Sequence, residues 1–203
     1  MAQLLAQLLI GISLAVSAYQ DIRERAVMDI VWIPALIGAA YALYTTFPHL
    51  QFLLVKLAVI GGIPLLFAYF GLVGQADAIA LAFVAADPYE LSALVPFVAM
   101  AVVAMVHIGY EYAIGNARGT KTITMDRFLK EKNWIPEATI VDGVREVVNR
   151  DVNVARDQVE AREPRGMVEV KYGVPTVAYI GAGYIIYIIL LIAFNHASLL
   201  SLP

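Results

Sequence analysis

Long apolar runs recur along this chain and restrict it to one broad class of fold. Hydrophobic residues make up 61% of the 203 residues and charged residues only 15%, whereas about a quarter of a typical soluble domain is charged. A helix that spans a bilayer needs roughly 20 mostly apolar residues. We therefore expect an all-α polytopic membrane protein with six transmembrane helices. The six apolar segments are Ala2–Tyr19, Ile30–Phe47, Phe52–Phe70, Ala78–Ala86, Leu91–Tyr112 and Tyr172–Phe194, the last running on toward Leu202.

The fourth segment, Ala78–Ala86, is too short to cross a bilayer alone. The sequence Asp87-Pro88-Tyr89-Glu90 follows it and predicts a tight turn, because proline lacks an amide donor and restricts its neighbour. Either the helix begins earlier, near Gly74, or one of its ends lies in a water-filled recess. Irregular backbone at membrane depth needs protein or water as a partner, which indicates a cavity beside Asp77.

A polar insert separates the fifth and sixth segments. Residues 116–171 hold 11 of the 14 Lys and Arg and 10 of the 17 Asp and Glu, without a long apolar run. The pattern predicts a helix over Met125–Lys132 and strands over Ala138–Val141, Val152–Val159 and Met167–Val170. The expected organisation is a five-helix membrane portion (1–115), a small soluble α/β domain (116–171) and a sixth helix (172–203).

The positive charges predict how the chain crosses the membrane. The first predicted loop carries Arg23 and Arg25, the next three loops carry no Lys or Arg, and the insert carries 11. Cytoplasmic loops are enriched in these residues, so we expect both termini outside and the insert in the cytoplasm. Lys56 is the exception, and we expect its stem to reach the outer headgroups.

This orientation brings two carboxyl groups to the same membrane surface. Asp21 ends the first segment and Asp77 begins the fourth. Taken alone, Asp21 is a helix-end charge that Arg25 could balance, and Asp77 is a first-turn acid favoured by the helix dipole. Taken together, they predict a pair that shares a proton, with one carboxyl acting as base on a water and the other as acid. This chemistry needs no metal and no cofactor.

The residues around both aspartates resemble one protease family. Gly74-Gln75-Ala76-Asp77 resembles the G-x-G-D motif of membrane aspartic proteases, with Ala76 in place of the second glycine. The stretch from Tyr19 to Asp29 is similar to the segment around the first catalytic Asp in type IV prepilin peptidases, above all their archaeal prepilin and preflagellin (prearchaellin) branch. The chain has no cysteine, like the shorter archaeal form, so methyltransferase activity is not expected.

The resemblance implies an activity and a substrate class. It implies that Asp21 and Asp77 cleave a short basic leader from pilin-like or archaellin precursors at the cytoplasmic membrane face. Glu24 and Asp29 lie beside Asp21, and we hypothesise that they attract the Lys and Arg of the leader. The alternative is that both are solvated loop acids balanced by Arg23 and Arg25.

Three other functions stay open at this stage. The chain could be a proton- or ion-coupled transporter with Asp77 in its ion site, although no internal symmetry supports this. It could be a non-catalytic scaffold of a pilus or secretion machine, or a protease that cuts within transmembrane helices. A nucleic-acid partner is not expected, because the charges of the insert nearly cancel. The particular precursor, the oligomeric state and whether the aspartates meet before substrate binds are left open.

Two smaller features carry predictions of their own. His107 and Glu111 lie four residues apart on the fifth segment and predict an interfacial pair. Gly61-Gly62 and Gly181-x-Gly183 predict close contacts between helices rather than nucleotide-binding loops, because no strand precedes them.

Overall fold

The computed structural model describes residues 2–45, 50–89, 94–149, 152–161 and 166–200. Parts of the predicted loop Pro48–Gln51 and the end of the predicted turn Asp87–Glu90 lie outside these residues, and the predicted extension toward Leu202 is described as far as Leu200. The chain divides into two compact units, one formed by residues 1–105 and 175–203 and the other by residues 106–174. The two are described separately.

The first unit is helical. A 3-10 turn, Asp29–Trp32, leads into the second helix, and a π-helical segment, Leu57–Gly62, joins the third helix to the fourth. The helix Val95–Ala113 begins in this unit and continues into the other. The helices are α1 (Ala2–Glu24), α2 (Ile33–Thr45), α3 (Leu50–Lys56), α4 (Ile63–Tyr69), α5 (Gln75–Ala85), α6 (Val95–Ala113) and α9 (Thr176–Leu200).

Four helical stretches are long and apolar enough to cross a membrane. They are Gln3–Glu24, Leu50–Tyr69, Val95–Ala113 and Thr176–Phe194. The other two apolar segments are also helical but shorter, Asp29–Thr45 and Gln75–Ala85. The prediction of a helical membrane protein is thus supported, whereas six full spans are not confirmed.

The core of the first unit lies where α1, α2, α5 and α9 pack together. Ile10 and Leu14 of α1 and Tyr184 of α9 are fully buried in it. Trp32, just before α2, stacks on Phe83 of α5 with ring centroids 5.7 Å apart. These contacts fix the helices that carry the two predicted catalytic residues.

Glycines let several of these helices approach closely. A Cβ at Gly181 of α9 would lie 2.7 Å from the carbonyl oxygen of Leu14, and one at Gly183 would lie 2.8 Å from the amide nitrogen of Met100. A Cβ at Gly61 would lie 3.1 Å from the Cα of Ala82. The predicted close contacts are confirmed at these three positions, whereas nothing approaches the Cβ position of Gly62 within 3.7 Å.

The second unit contains a four-stranded antiparallel sheet in the order β1-β4-β2-β3. Its core includes the fully buried Phe128, Ala155, Val159 and Val168. His107 and Glu111 lie 3.6 Å apart within this unit. The elements are β1 (Lys121–Thr124), α7 (Met125–Lys130), β2 (Trp134–Val141), β3 (Val144–Val147), α8 (Val152–Glu160) and β4 (Met167–Tyr172).

One of the predicted strands of the insert is wrong. Val152–Val159 forms α8 instead, because Ala155 and Val159 lie on one helical face and are both fully buried. The predicted helix at Met125 forms and ends two residues early, at Lys130. The strands predicted at Ala138–Val141 and Met167–Val170 are part of β2 and β4.

Candidate functional site

Asp21 lies in the last turn of α1, and its side chain is buried. The helix ends at Glu24, because Arg25 adopts a φ of 56°, the left-handed conformation that terminates many helices. The amide of Arg25 still donates to the carbonyl oxygen of Asp21, over 3.2 Å. The side-chain oxygen of Gln20 accepts from the amide of Met28 at 3.1 Å and holds the following loop against the helix end. Asp21 is therefore presented by an ordered helix end.

The Asp21 carboxylate binds the start of α9. Its Oδ2 accepts a hydrogen bond from the amide of Ala178 at 3.1 Å. Ala178 is in the first turn of α9, where amides have no acceptor within their own helix. Because the N-terminus of a helix carries partial positive charge, a carboxylate here is stabilised by the dipole as well. Asp21 thus caps a helix that lies 157 residues further along the chain.

The loop before α5 is shaped by glycine. Gly71 has a φ of 70°, and its amide donates to the carbonyl of Ala68 while that of Leu72 donates to the carbonyl of Phe67. This pair of bonds is a Schellman motif, which ends α4 in one residue. Gly74 is then extended, with φ −62° and ψ 138°, and precedes the first residue of α5. The loop sets where α5 begins and so where Asp77 lies.

Asp77 is in the first turn of α5, as expected for an acid near a helix N-terminus. Its half-buried side chain folds back over Gly74, so that a Cβ at Gly74 would lie 2.8 Å from Asp77 Oδ2. A side chain at position 74 would therefore force the Asp77 carboxylate to move. The negative charge of Asp21 acts on Asp77. The structure therefore places Asp77 within the electrostatic influence of Asp21, although the two residues are far apart in sequence.

The other predicted site residues have different environments. Gln75 is exposed, and Ala76 is half-buried against the core of the first unit. Glu24 and Asp29 are both exposed. The charge of Glu24 acts on Arg23, whose guanidinium donates to the hydroxyl of Tyr19 at 2.6 Å.

The predicted location of the Lys56 side chain is wrong. We expected its ammonium to reach the outer headgroups, but the residue is only 4% exposed. Its Nζ donates to the backbone carbonyl oxygens of Asp87 and Tyr89, the second at 3.0 Å. The reason is that the chain turns within the first unit after the short α5. Lys56 donates hydrogen bonds to carbonyl oxygens of this turn that would otherwise need water as a partner.

Asp87 was also missed as a buried group. The Asp-Pro dipeptide indicates a turn, and turns are usually exposed, yet Asp87 is fully buried. One feature of the sequence pointed to this buried group. Lys56, which contacts Asp87, is a charged residue inside a predicted membrane segment. Among the described residues, no group of three or more His, Cys, Asp and Glu side chains is arranged to hold a metal ion.

Comparisons of the chain with protein-family models, with curated proteins and with solved structures found no match.

Proposed function

We propose that the chain is a membrane aspartic endopeptidase that removes the short basic leader from type IV pilin-like or archaellin precursors. The observation that carries the proposal is the placement of Asp21 and Asp77 at two helix ends, with the negative charge of Asp21 acting on Asp77. Aspartic proteases work through such a pair. The resemblance of the residues around both aspartates to archaeal prepilin peptidases supplies the substrate class.

The surroundings of the two carboxyl groups favour different roles for them. One oxygen of Asp21 is held by the amide of Ala178 at the positive end of a helix. In the proposed mechanism Asp21 is the ionised partner and takes a proton from a water, while Asp77 holds a proton. The hydroxide adds to the scissile carbonyl carbon, and Asp77 gives its proton to the carbonyl oxygen. The tetrahedral intermediate then breaks its C–N bond as Asp21 gives the proton taken from the water to the leaving amine, and Asp77 takes back a proton from a hydroxyl of the intermediate.

The proposal includes an orientation in the membrane. All six apolar segments would lie within the bilayer region, with both termini outside and both aspartates at the cytoplasmic surface. The distribution of Lys and Arg supports this orientation, since 13 of the 14 would then be cytoplasmic. The basic leader of a precursor would meet the site before its hydrophobic helix enters the membrane.

The direct experiment is co-expression with an epitope-tagged archaeal prepilin, followed by the shift in its size on a gel. We expect cleavage by the parent chain and a loss of at least about a thousandfold in Asp21→Asn and in Asp77→Asn, because neither amide can replace a carboxyl in proton transfer. Membrane fractionation of each variant is the control for expression and insertion. Cleavage that survives in either inserted variant would exclude the dyad.

The acidic residues near Asp21 give a prediction about substrate binding. We expect Glu24→Gln and Asp29→Asn each to raise KM for a basic leader by up to about fivefold with kcat unchanged, since exposed ion pairs contribute roughly 0.2–1 kcal/mol. Cleavage of a leader whose Lys and Arg are replaced by Gln should not change. Asp126→Asn, which removes an exposed carboxylate of the second unit, is the matched control. An unchanged KM in both site variants would remove the proposed role.

One observation favours a second candidate function. A buried charged residue at membrane depth, such as Asp87 with Lys56 beside it, is typical of proton- and ion-coupled transporters. This alternative predicts a proton flux into liposomes that carry the purified chain, and its loss in Asp87→Asn. The peptidase proposal predicts no such flux.

A further inference from the structure

Asp87 is the centre of a buried polar cluster at the end of α5 opposite to Asp77. Its carboxylate accepts hydrogen bonds from the hydroxyl of Tyr184 at 2.6 Å and from the side-chain amide of Gln7 at 3.1 Å. The hydroxyl of Tyr187 donates over 3.4 Å and the backbone amide of Tyr89 over 2.9 Å. Gln7 belongs to α1, and the first two tyrosines belong to α9. A single carboxylate thus joins the end of α5 to two other helices.

Lys56 completes the cluster from the third helix. Its ammonium donates to the carbonyls of Asp87 and Tyr89, which follow the last turn of α5. A cation at the C-terminus of a helix offsets the partial negative charge of the helix dipole. The lysine is buried among helices, and a buried charge needs compensation. These carbonyls and the nearby carboxylate of Asp87 provide it.

The same three helices also meet at the candidate dyad. Along α1, Asp21 lies about 21 Å from Gln7, at 1.5 Å per residue. Along α5, Asp77 lies about 12 Å from Ala85, the last residue of the helix, and Asp87 follows two residues later. Helix α9 contributes Ala178 in its first turn and Tyr184 six residues further on. Helices α1, α5 and α9 are therefore joined by polar contacts at two levels.

Nearly half of α5 consists of alanine, so much of its surface offers only small side chains to hold its position along the helix axis. Five of its eleven residues are alanine, and the Gly74 that precedes it makes no side-chain cap. Small side chains permit close approach but present few ridges that would resist sliding. A buried polar group that is satisfied in only one register fixes such a position.

We propose that Asp87 is a positioning residue that sets the axial position of α5 and thereby the separation of the Asp21 and Asp77 carboxyl groups. The effect on geometry follows from the cluster itself. The effect on cleavage rests on the proposed function. A merely stabilising role for Asp87 would lower stability without changing the separation of α1 and α5.

The distance between two spin labels tests the geometry without using activity. The chain has no cysteine, so Ile22→Cys on α1 and Gln75→Cys on α5, both at exposed positions, can be labelled cleanly. We expect the mean label distance to shift by about 1.5 Å or more, or a second distance to appear, when Asp87→Leu is added, since the rise of one helical residue is about 1.5 Å. Asp87→Asn should retain the parental distance, because its side-chain oxygen still accepts from Tyr184.

A matched control removes a different buried hydrogen bond of α1. The hydroxyl of Ser13 accepts from the amide of Ala35 in α2, at 2.9 Å. We expect Ser13→Ala to lower thermal stability but to keep the parental label distance. An equal change in distance for Ser13→Ala and Asp87→Leu, or no change for Asp87→Leu, would overturn the positioning role. Tyr184→Phe removes one donor to Asp87 and serves if Asp87→Leu does not insert, with a smaller shift expected.

Cleavage kinetics then separate this inference from the proposed function. We expect Asp87→Leu to lower kcat about tenfold or more with a smaller effect on KM, because misplacement of a reacting group costs rate. A shifted distance in a parent chain that cleaves no precursor would refute the peptidase function and support the positioning role. Full cleavage by Asp87→Leu at an unchanged distance would refute the positioning role and keep the peptidase function.

Discussion

At the scale of single residues, Asp21 has a structural role besides the catalytic one that we propose for it. Its position at the end of an apolar segment predicts a functional carboxyl, but not that the side chain caps α9 through the amide of Ala178. The cap depends on a residue 157 positions away, and local sequence has no signal for such a distant partner. The same limit applies to Asp87, whose donor Tyr184 lies 97 positions away.

The motif glycine gives a prediction about the dyad. We expect Gly74→Ala to lower the rate of precursor cleavage by about 10-fold to 100-fold, because the new methyl group would displace the Asp77 carboxylate from 2.8 Å away. The measurement is kcat/KM on a tagged prepilin. Gly109→Ala is the matched control, since no atom lies within 4 Å of its Cβ position. Equal rates for both variants would show that Asp77 tolerates a side chain at position 74.

At the scale of secondary structure, the apolar runs predict where helices form better than how far they extend. All six runs contain a helix, because apolar length alone favours helices in a bilayer. Two of the helical stretches, Asp29–Thr45 and Gln75–Ala85, are too short to count as full spans. A run of apolar residues does not reveal where a glycine or a buried turn ends the helix, as Gly71 and Asp87 do here.

The soluble elements show a different limitation. Valines in Val152–Val159 favour a strand on composition, whereas the spacing of Ala155 and Val159 fits the helix that forms. β3 was not predicted, although the Asp142-Gly143 pair before it is a strong hairpin signal. Both residues have positive φ, 52° and 80°, as a type I′ turn requires. Reading that turn would have revealed the antiparallel pair of β2 and β3.

Helix packing gives a second prediction. We expect Gly183→Ala to lower the free energy of unfolding by about 1–3 kcal/mol, because its methyl group would overlap the backbone of α6 near Met100. Thermal unfolding of the purified chain in detergent measures this change. Gly62→Ala, with no atom closer than 3.7 Å, should leave the unfolding temperature unchanged or raise it slightly. A Gly183→Ala variant as stable as the parent would mean that α6 and α9 can separate at low cost.

At the scale of the whole molecule, the positive charges predict a single orientation, which labelling can test. We expect a cysteine placed at the exposed Gln51 to react with a membrane-impermeant maleimide in intact cells. A cysteine at the exposed Val147 of β3 should react only after the cells are permeabilised. The parent chain, which has no cysteine, gives the background. Labelling of Val147→Cys in intact cells would show that the orientation is the reverse of the proposed one, with both aspartates at the outer surface.

The cap on α9 also determines when the environment of Asp21 is complete during synthesis. A ribosome that has made residue 170 has already made both aspartates, but it has not yet made the amide of Ala178 that Asp21 binds. The first-turn amides of α9 and the Asp21 carboxylate are left without each other until that last helix inserts. The order of translation therefore delays the environment of Asp21 seen in the folded chain until α9 has been made.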